Sequence, residues 1–167
     1  MEINSTICGL SRLVSFSAIL VLTLSAITSA QEKPVDKVNM GSYRIKKRPL
    51  LIFAPSDKER DFAEQVENLK PYAEGLLERD VIVLVILEEG ISRVENREMT
   101  PKAAEALRNK MKIKPGEFKV ILITKGGAER FRTSAPITSE SLFAAIDSTD
   151  LRKAEIEKRQ RKSQKKP

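Results

Sequence analysis

Apolar and polar positions alternate along this chain in blocks, and the blocks read as elements. Leu50, Leu51, Ile52 and Phe53 form an unbroken apolar run that stops at Ala54-Pro55, the pattern of a strand covered on both faces. Ser56-Asp57-Lys58-Glu59 follows at once. Its Ser-x-x-Glu spacing predicts a capping box at a helix start. Phe62, Val66, Leu69, Ala73 and Leu76 then recur at three- and four-residue steps, one apolar stripe on a helix over 57–79. Pro71 lies inside that stripe and should kink or break it near Lys70. Val81–Leu87 (VIVLVIL) is the strongest strand signal, apolar throughout and mostly β-branched, and is expected to be the central strand, covered on both sides.

Ile91–Met99 shows no period and reads as a loop. Thr100-Pro101 supplies an N-cap followed by proline at the first helical position. The helix it opens runs through Ala103, Leu107 and Met111 to a stop at Pro115-Gly116. Phe118–Thr124 is a further strand, Lys125-Gly126-Gly127 a hairpin turn, and Ala128–Thr133 an antiparallel return on a sheet edge, with Arg130 and Arg132 on its wet side. Ser139 is placed to cap a last helix whose apolar side holds Leu142, Phe143 and Ile146. The order is β-α-β-α-β-β-α. With right-handed crossovers, it predicts an α/β, thioredoxin-like core: a four-stranded mixed sheet flanked by helices, with the third strand parallel to the first two or nearly so.

The ends of the chain differ from this middle. Leu13–Ile27 is apolar and small, and Thr28-Ser29-Ala30 closes it. That layout is a signal peptide over residues 1–30, cut at Ala30–Gln31, the apolar run being short of the roughly 20 residues a spanning helix needs. No transmembrane span is then expected in the mature chain, and the protein should be periplasmic or secreted. Residues 31–45 mix charges, Pro and Gly without period and read as a lead-in to a domain over 46–151. Of the net charge of +7, little belongs to that domain. Residues 31–151 hold 21 Lys and Arg against 20 Asp and Glu, whereas 152–167 hold eight against two. The basic tail 152–167 is too charged to bury anything and is expected to be disordered.

Chemistry is bounded by what is missing. There is no histidine, and the single cysteine, Cys8, falls within the signal segment. In a thioredoxin-like fold the redox site is a cysteine at the start of the first helix, where the helix dipole favours the thiolate. Those positions fall near Lys58 and Asp61, so thiol–disulfide or peroxide chemistry by the mature chain is excluded, and no catalytic residue is assigned. The same corner could hold an anion, through Pro55, Ser56, Lys58 and Arg60 at the helix N-terminus, although ordinary capping uses the same donors. With carboxylates as the remaining ligands, Glu88-Glu89 and Glu95/Glu98 lack a calcium-loop pattern, so no metal and no cofactor is implied. The tail is the strongest electrostatic feature. Lys158, Arg159, Arg161, Lys162, Lys165 and Lys166 suit a polyanion: acidic polysaccharide, lipid headgroups or an acidic protein. Specific nucleic-acid reading is not expected with two tyrosines and no tryptophan to stack bases.

RPLLIFAPS, RDVIVLVIL, ILITKGGAERFR, SLFAAID and LRKAEI, in that order, resemble the DUDES domain family. Its members occur in bacterial exported proteins and in the animal Dro/URB/SRPUL/Equarin group. The resemblance covers about Arg48 to Ile156. It implies a thioredoxin-like fold, an extracytoplasmic location and, from the animal relatives, matrix or cell-surface roles. It carries no established reaction and no catalytic residues to transfer. Where relatives often have Met-Pro-Met-Arg after the last helix, this chain has Ser148–Arg152. The function expected is thus a non-catalytic, exported binding or adhesion-type domain with a basic tail. The alternative is a cysteine-independent enzyme, or a redox-protein partner, using the Pro55–Arg60 corner.

Overall fold

The computed structural model describes residues 32–164. The expected signal peptide, Lys165 and Lys166 lie outside the described residues. Six strands, β1 (Arg48–Ser56), β2 (Val81–Glu89), β3 (Arg93–Val94), β4 (Arg97–Glu98), β5 (Lys119–Ile123) and β6 (Glu129–Thr133), form one sheet in the order β4-β3-β2-β1-β5-β6. Five helices accompany them: α1 (Arg60–Leu69), α2 (Ala73–Glu78), α3 (Pro101–Met111), α4 (Ser139–Asp147) and α5 (Asp150–Gln164).

The two long apolar runs lie side by side as the parallel pair at the middle of the sheet, Leu50 opposite Val83 and Phe53 opposite Ile86. Alternation along them divides the core. Leu51, Phe53, Leu84, Ile86 and Ile121 point to one face, where α3 covers them with Ala103, Ala104 and Leu107. Leu50, Ile52, Val120 and Leu122 point to the other, under α1 and α4, with Leu69, Leu142 and Ile146. Val83 and Val85 share this second face and are only partly covered. Pro71 acts as expected: α1 stops at Leu69, Lys70–Tyr72 winds into a 3-10 turn, and α2 continues the path. Gly75 in α2 gives Phe143 room, since a Cβ there would sit 2.7 Å from its ring.

Several expectations are corrected. The sheet has six strands rather than four, because Ile91–Met99 folds back beside β2 as the short β3–β4 hairpin instead of a loop. The third major strand, β5, runs antiparallel to β1. The reason lies in α3, which ends beside the C-terminal end of β1: Arg108 reaches Ala54 O at 3.4 Å, so the chain re-enters the sheet from that end. The lead-in is also built into the fold. Val35 bridges to Met99, and Val38, Met40 and Tyr43 pack on the α3 face of the core. Thr138, not Ser139, caps α4; the buried Ser139 hydroxyl donates instead to Asn68 O at 2.9 Å.

The largest correction concerns the tail. Residues 150–164 are the helix α5, and Arg152 within it is 1% exposed. No proline or glycine interrupts 150–164, and Ala, Glu, Gln, Lys and Arg are strong helix formers. Charge along this segment was therefore no obstacle to helix, only to burial, and the burial is limited to the side that finds partners.

Candidate functional site

The β1–α1 corner is closed by its own backbone. β1 runs on to Ser56, whose hydroxyl accepts from Lys58 N at 3.3 Å. The helix begins three residues later than a Ser56 cap would place it. Glu59 is the N-cap residue, and its carboxylate accepts from Phe62 N at 2.8 Å. The Ser56–Glu59 capping box is thus replaced by a single acidic cap, which already places negative charge on the helix N-terminus. Pro55 and Ser56 are half-buried, while Lys58 and Arg60 stand in solvent.

Behind that corner, at the C-terminal end of β2, a cavity of about 450 Å³ opens between Leu87, Glu88 and the α3 residues Ala104 and Arg108. Arg108 is buried and bonded to the fold: it donates to Ala54 O and, at 2.9 Å, to Lys114 O, and pairs with Glu88. Glu88 in turn accepts from Gly116 N at 3.0 Å. The one buried hydroxyl there, Ser92, accepts from Leu87 N and donates to Leu87 O. These groups tie strand, helix and loop together, and Arg108, Glu88 and Ser92 each already have partners within the fold. Among the described residues no group of three or more His, Cys, Asp or Glu could hold a metal.

The opposite end of the sheet carries the dense charge. α5 lies across the starts of β1 and β2, and its carboxylate Glu155 is the hub. It accepts from Lys125 Nζ at 2.7 Å and from the Arg48 guanidinium at 3.1 Å, and lies 3.7 Å from Arg152. Arg152 also bonds Glu78 at 2.6 Å and Asp147 at 3.3 Å. Arg79 binds the same Asp147 at 2.6 Å and stacks 4.2 Å above the Phe143 ring. Lys125 closes the network on Asp80 at 2.7 Å. Three of these cations, Arg48, Lys125 and Arg152, are buried. Burial pushes the carboxyls of Glu155, Asp80 and Asp147 up, but hydrogen bonds and charges outweigh it and hold all three below their ordinary values: Lys125 and Arg48 at Glu155, Lys125 and Arg159 at Asp80, Arg79 and Arg152 at Asp147.

What α5 leaves outside is narrower than its composition suggests. Arg159 is exposed but is also tied to the network, donating to Glu78 O at 2.9 Å and to Asp80 at 3.4 Å. Lys158, Arg161 and Lys162, spaced by three and four, share the neighbouring face and are exposed. Arg161 pairs with Glu157 at 3.0 Å. Lys158 and Lys162 have no ion-pair partner among the described residues. Sequence reasoning found these cations but missed Arg152 and Glu155, which hold the helix in place. The signal available was helix propensity across an uninterrupted segment.

No helix among the described residues is long and apolar enough to cross a membrane. Comparison with known proteins finds sushi repeat-containing protein SRPX2 of Xenopus laevis, 32% identical over 105 residues, covering 61% of this chain and 23% of that protein. The Homo sapiens protein of the same name is 28% identical over 117 residues, 68% of this chain and 25% of that one. The chain therefore spans about a quarter of the length of these relatives. Among solved structures, the reduced Plasmodium vivax 2-Cys peroxiredoxin superposes with a TM-score of 0.52 at 14% identity, over 66% of this chain and 82% of that one. A Plasmodium yoelii Prx1a structure gives 0.51 at 15%, over 66% and 78%. At such identities the likeness is one of fold, and with the topology above it establishes the thioredoxin-like α/β class. The family model described as "Domain of unknown function (DUF4174)" matches residues 39–155, from the cap of a 3-10 turn over Met40–Tyr43 to the Glu155 hub, and the chain belongs to that family.

Proposed function

We propose that this protein is an exported, non-catalytic binding domain of the DUDES type, and that the outward face of α5 is where it takes a polyanion. The observation that carries the reading is the anchoring of α5. Arg152 and Glu155 fix its first turns to the sheet, so Lys158, Arg161 and Lys162 project from a braced helix. Cations held in register lose less freedom on binding than those of a loose tail, which makes the same charge a better contact. Export is supported by the signal-like N-terminus. A cysteine-independent reaction at the Pro55–Arg60 corner has the cavity behind it in its favour, but Arg108, Glu88 and Ser92 are already bonded to the fold.

The test is retention on immobilised heparin of residues 31–167, of a version ending after Ser163 and of one ending after Glu157, with a thermal melt of each. Retention is expected to fall at both steps. The shorter version keeps Arg152 and Glu155 and loses the partly exposed Arg159 contacts and the exposed Arg161–Glu157 pair, so stability should change by less than about 1 kcal/mol. Retention unchanged by both truncations would move the polyanion contact off α5.

A further inference from the structure

At the same end of the sheet, one residue breaks two rules at once. Ile45 is 85% exposed, and its φ is 72°. A β-branched side chain rarely occupies this left-handed region, which glycine or asparagine fills without strain. Among the described residues none covers the side chain. The conformation is nonetheless firmly held. Ile45 N–H donates to Lys125 O at 2.8 Å, Lys46 and Lys47 N–H donate to Tyr43 O at 3.1 and 2.8 Å, and Tyr43 packs on the core. Strain maintained by its surroundings is a pointer to function.

The neighbours indicate what covers the tip. Arg44 and Lys46 flank it in solvent, Lys47 follows, and no acid lies between Arg44 and Arg48. Lys47 is near enough to Asp80 to help hold its carboxyl charged, and Asp80 is also the carboxylate that Arg159 reaches, so this turn adjoins α5. Beside the same Lys125 hairpin, an apolar cavity of about 250 Å³ opens under the half-exposed Leu151, edged by Arg48 and Arg130. An acidic polysaccharide would use the cations and leave Ile45 and this cavity idle. A bilayer uses both, taking apolar side chains below the headgroups and cations among them.

We infer that the Arg44–Lys47 turn docks on an anionic lipid bilayer, with Ile45 inserted at the interface and the flanking cations on the headgroups. This rests on the reading of the α5 end as anion-binding and names the partner's class. The experiment is co-sedimentation of residues 31–167, which contain both cores, with vesicles of phosphatidylcholine alone or mixed with phosphatidylglycerol, and retention on heparin in parallel. Ile45→Asn suits the left-handed backbone and should melt no lower than the parent. It should weaken binding to the mixed vesicles about tenfold, as the loss of one buried aliphatic side chain implies, and leave heparin retention unchanged. The chain has no tryptophan, so Ile45→Trp supplies a sole reporter whose emission should shift to the blue on the mixed vesicles and not with heparin. Vesicle binding unaltered by Ile45→Asn, or Trp emission that does not move, overturns the inference while leaving the heparin reading standing. Vesicle binding with insertion but no heparin retention would overturn the heparin reading and leave this one.

Discussion

Leu84→Asp is expected to abolish folding of the domain, and Val83→Asp and Val85→Asp are not. Leu84 sits on a central strand with no exposure, between Phe53 and the small residues of α3. A carboxylate there would be unpaired and dry, at a cost on the order of 5 kcal/mol or more, comparable with the whole stability of a small domain. Val83 and Val85 point to the opposite face and are half-covered. A carboxylate at either can reach water, and the cost falls to about 2 kcal/mol. Thermal and denaturant melts of the three variants check this ordering. A cooperative melt for Leu84→Asp near that of the parent would mean that α3 does not seal the sheet.

Arg152→Ala is the second large effect, and an unexpected one for a residue in so basic a segment. The guanidinium is buried against Glu78, Asp147 and Glu155, and its removal strands the carboxylates it neutralises. Breaking a buried pair by deleting one partner costs about 3–5 kcal/mol. Glu78 is more than half exposed and Asp147 a third, so the lower figure applies, a fall in Tm of about 10 °C. Arg159→Ala, at the exposed edge of the network, should cost under about 1 kcal/mol. The network also sets the acid limb. Glu155, Asp80 and Asp147 have lowered values in the folded state, so their contribution is complete above the ordinary carboxylate range, near pH 4, and is lost as pH falls through the lowered values. The gap between parent and Arg152→Ala should therefore close in acid. An equal Tm for the two at neutral pH would show that α5 is not docked.

These two residues also mark where the sequence could be read and where it could not. Leu84 lies in an unbroken apolar run, and such runs report their own burial, which is why β1, β2 and β5 and the Pro71 break were legible. The β3–β4 hairpin was not, because its strands are two residues each and carry no period. At the β1–α1 corner the capping signal was real, but its register was off: Glu59 rather than Ser56 is the cap. Arg152 stands in a run of lysines and arginines, and nothing local separates it from Arg161. Its partners Glu78 and Asp147 come from elsewhere in the chain, a long-range coincidence that composition conceals. The same holds for Gln65, wholly buried and bonded to both backbone groups of Ile137.

The measurement that bears most directly on a braced, polyanion-binding α5 is the salt dependence of heparin affinity, for residues 31–167 and for a Lys158→Gln, Arg161→Gln, Lys162→Gln variant. Counter-ion release contributes roughly 0.7–0.9 to the log–log slope per neutralised anion on nucleic-acid models. The variant should therefore bind more weakly at low salt with a slope shallower by about 2, while its melt matches the parent, because none of the three side chains belongs to the buried network. Equal slopes and equal affinities for the two proteins would contradict the account.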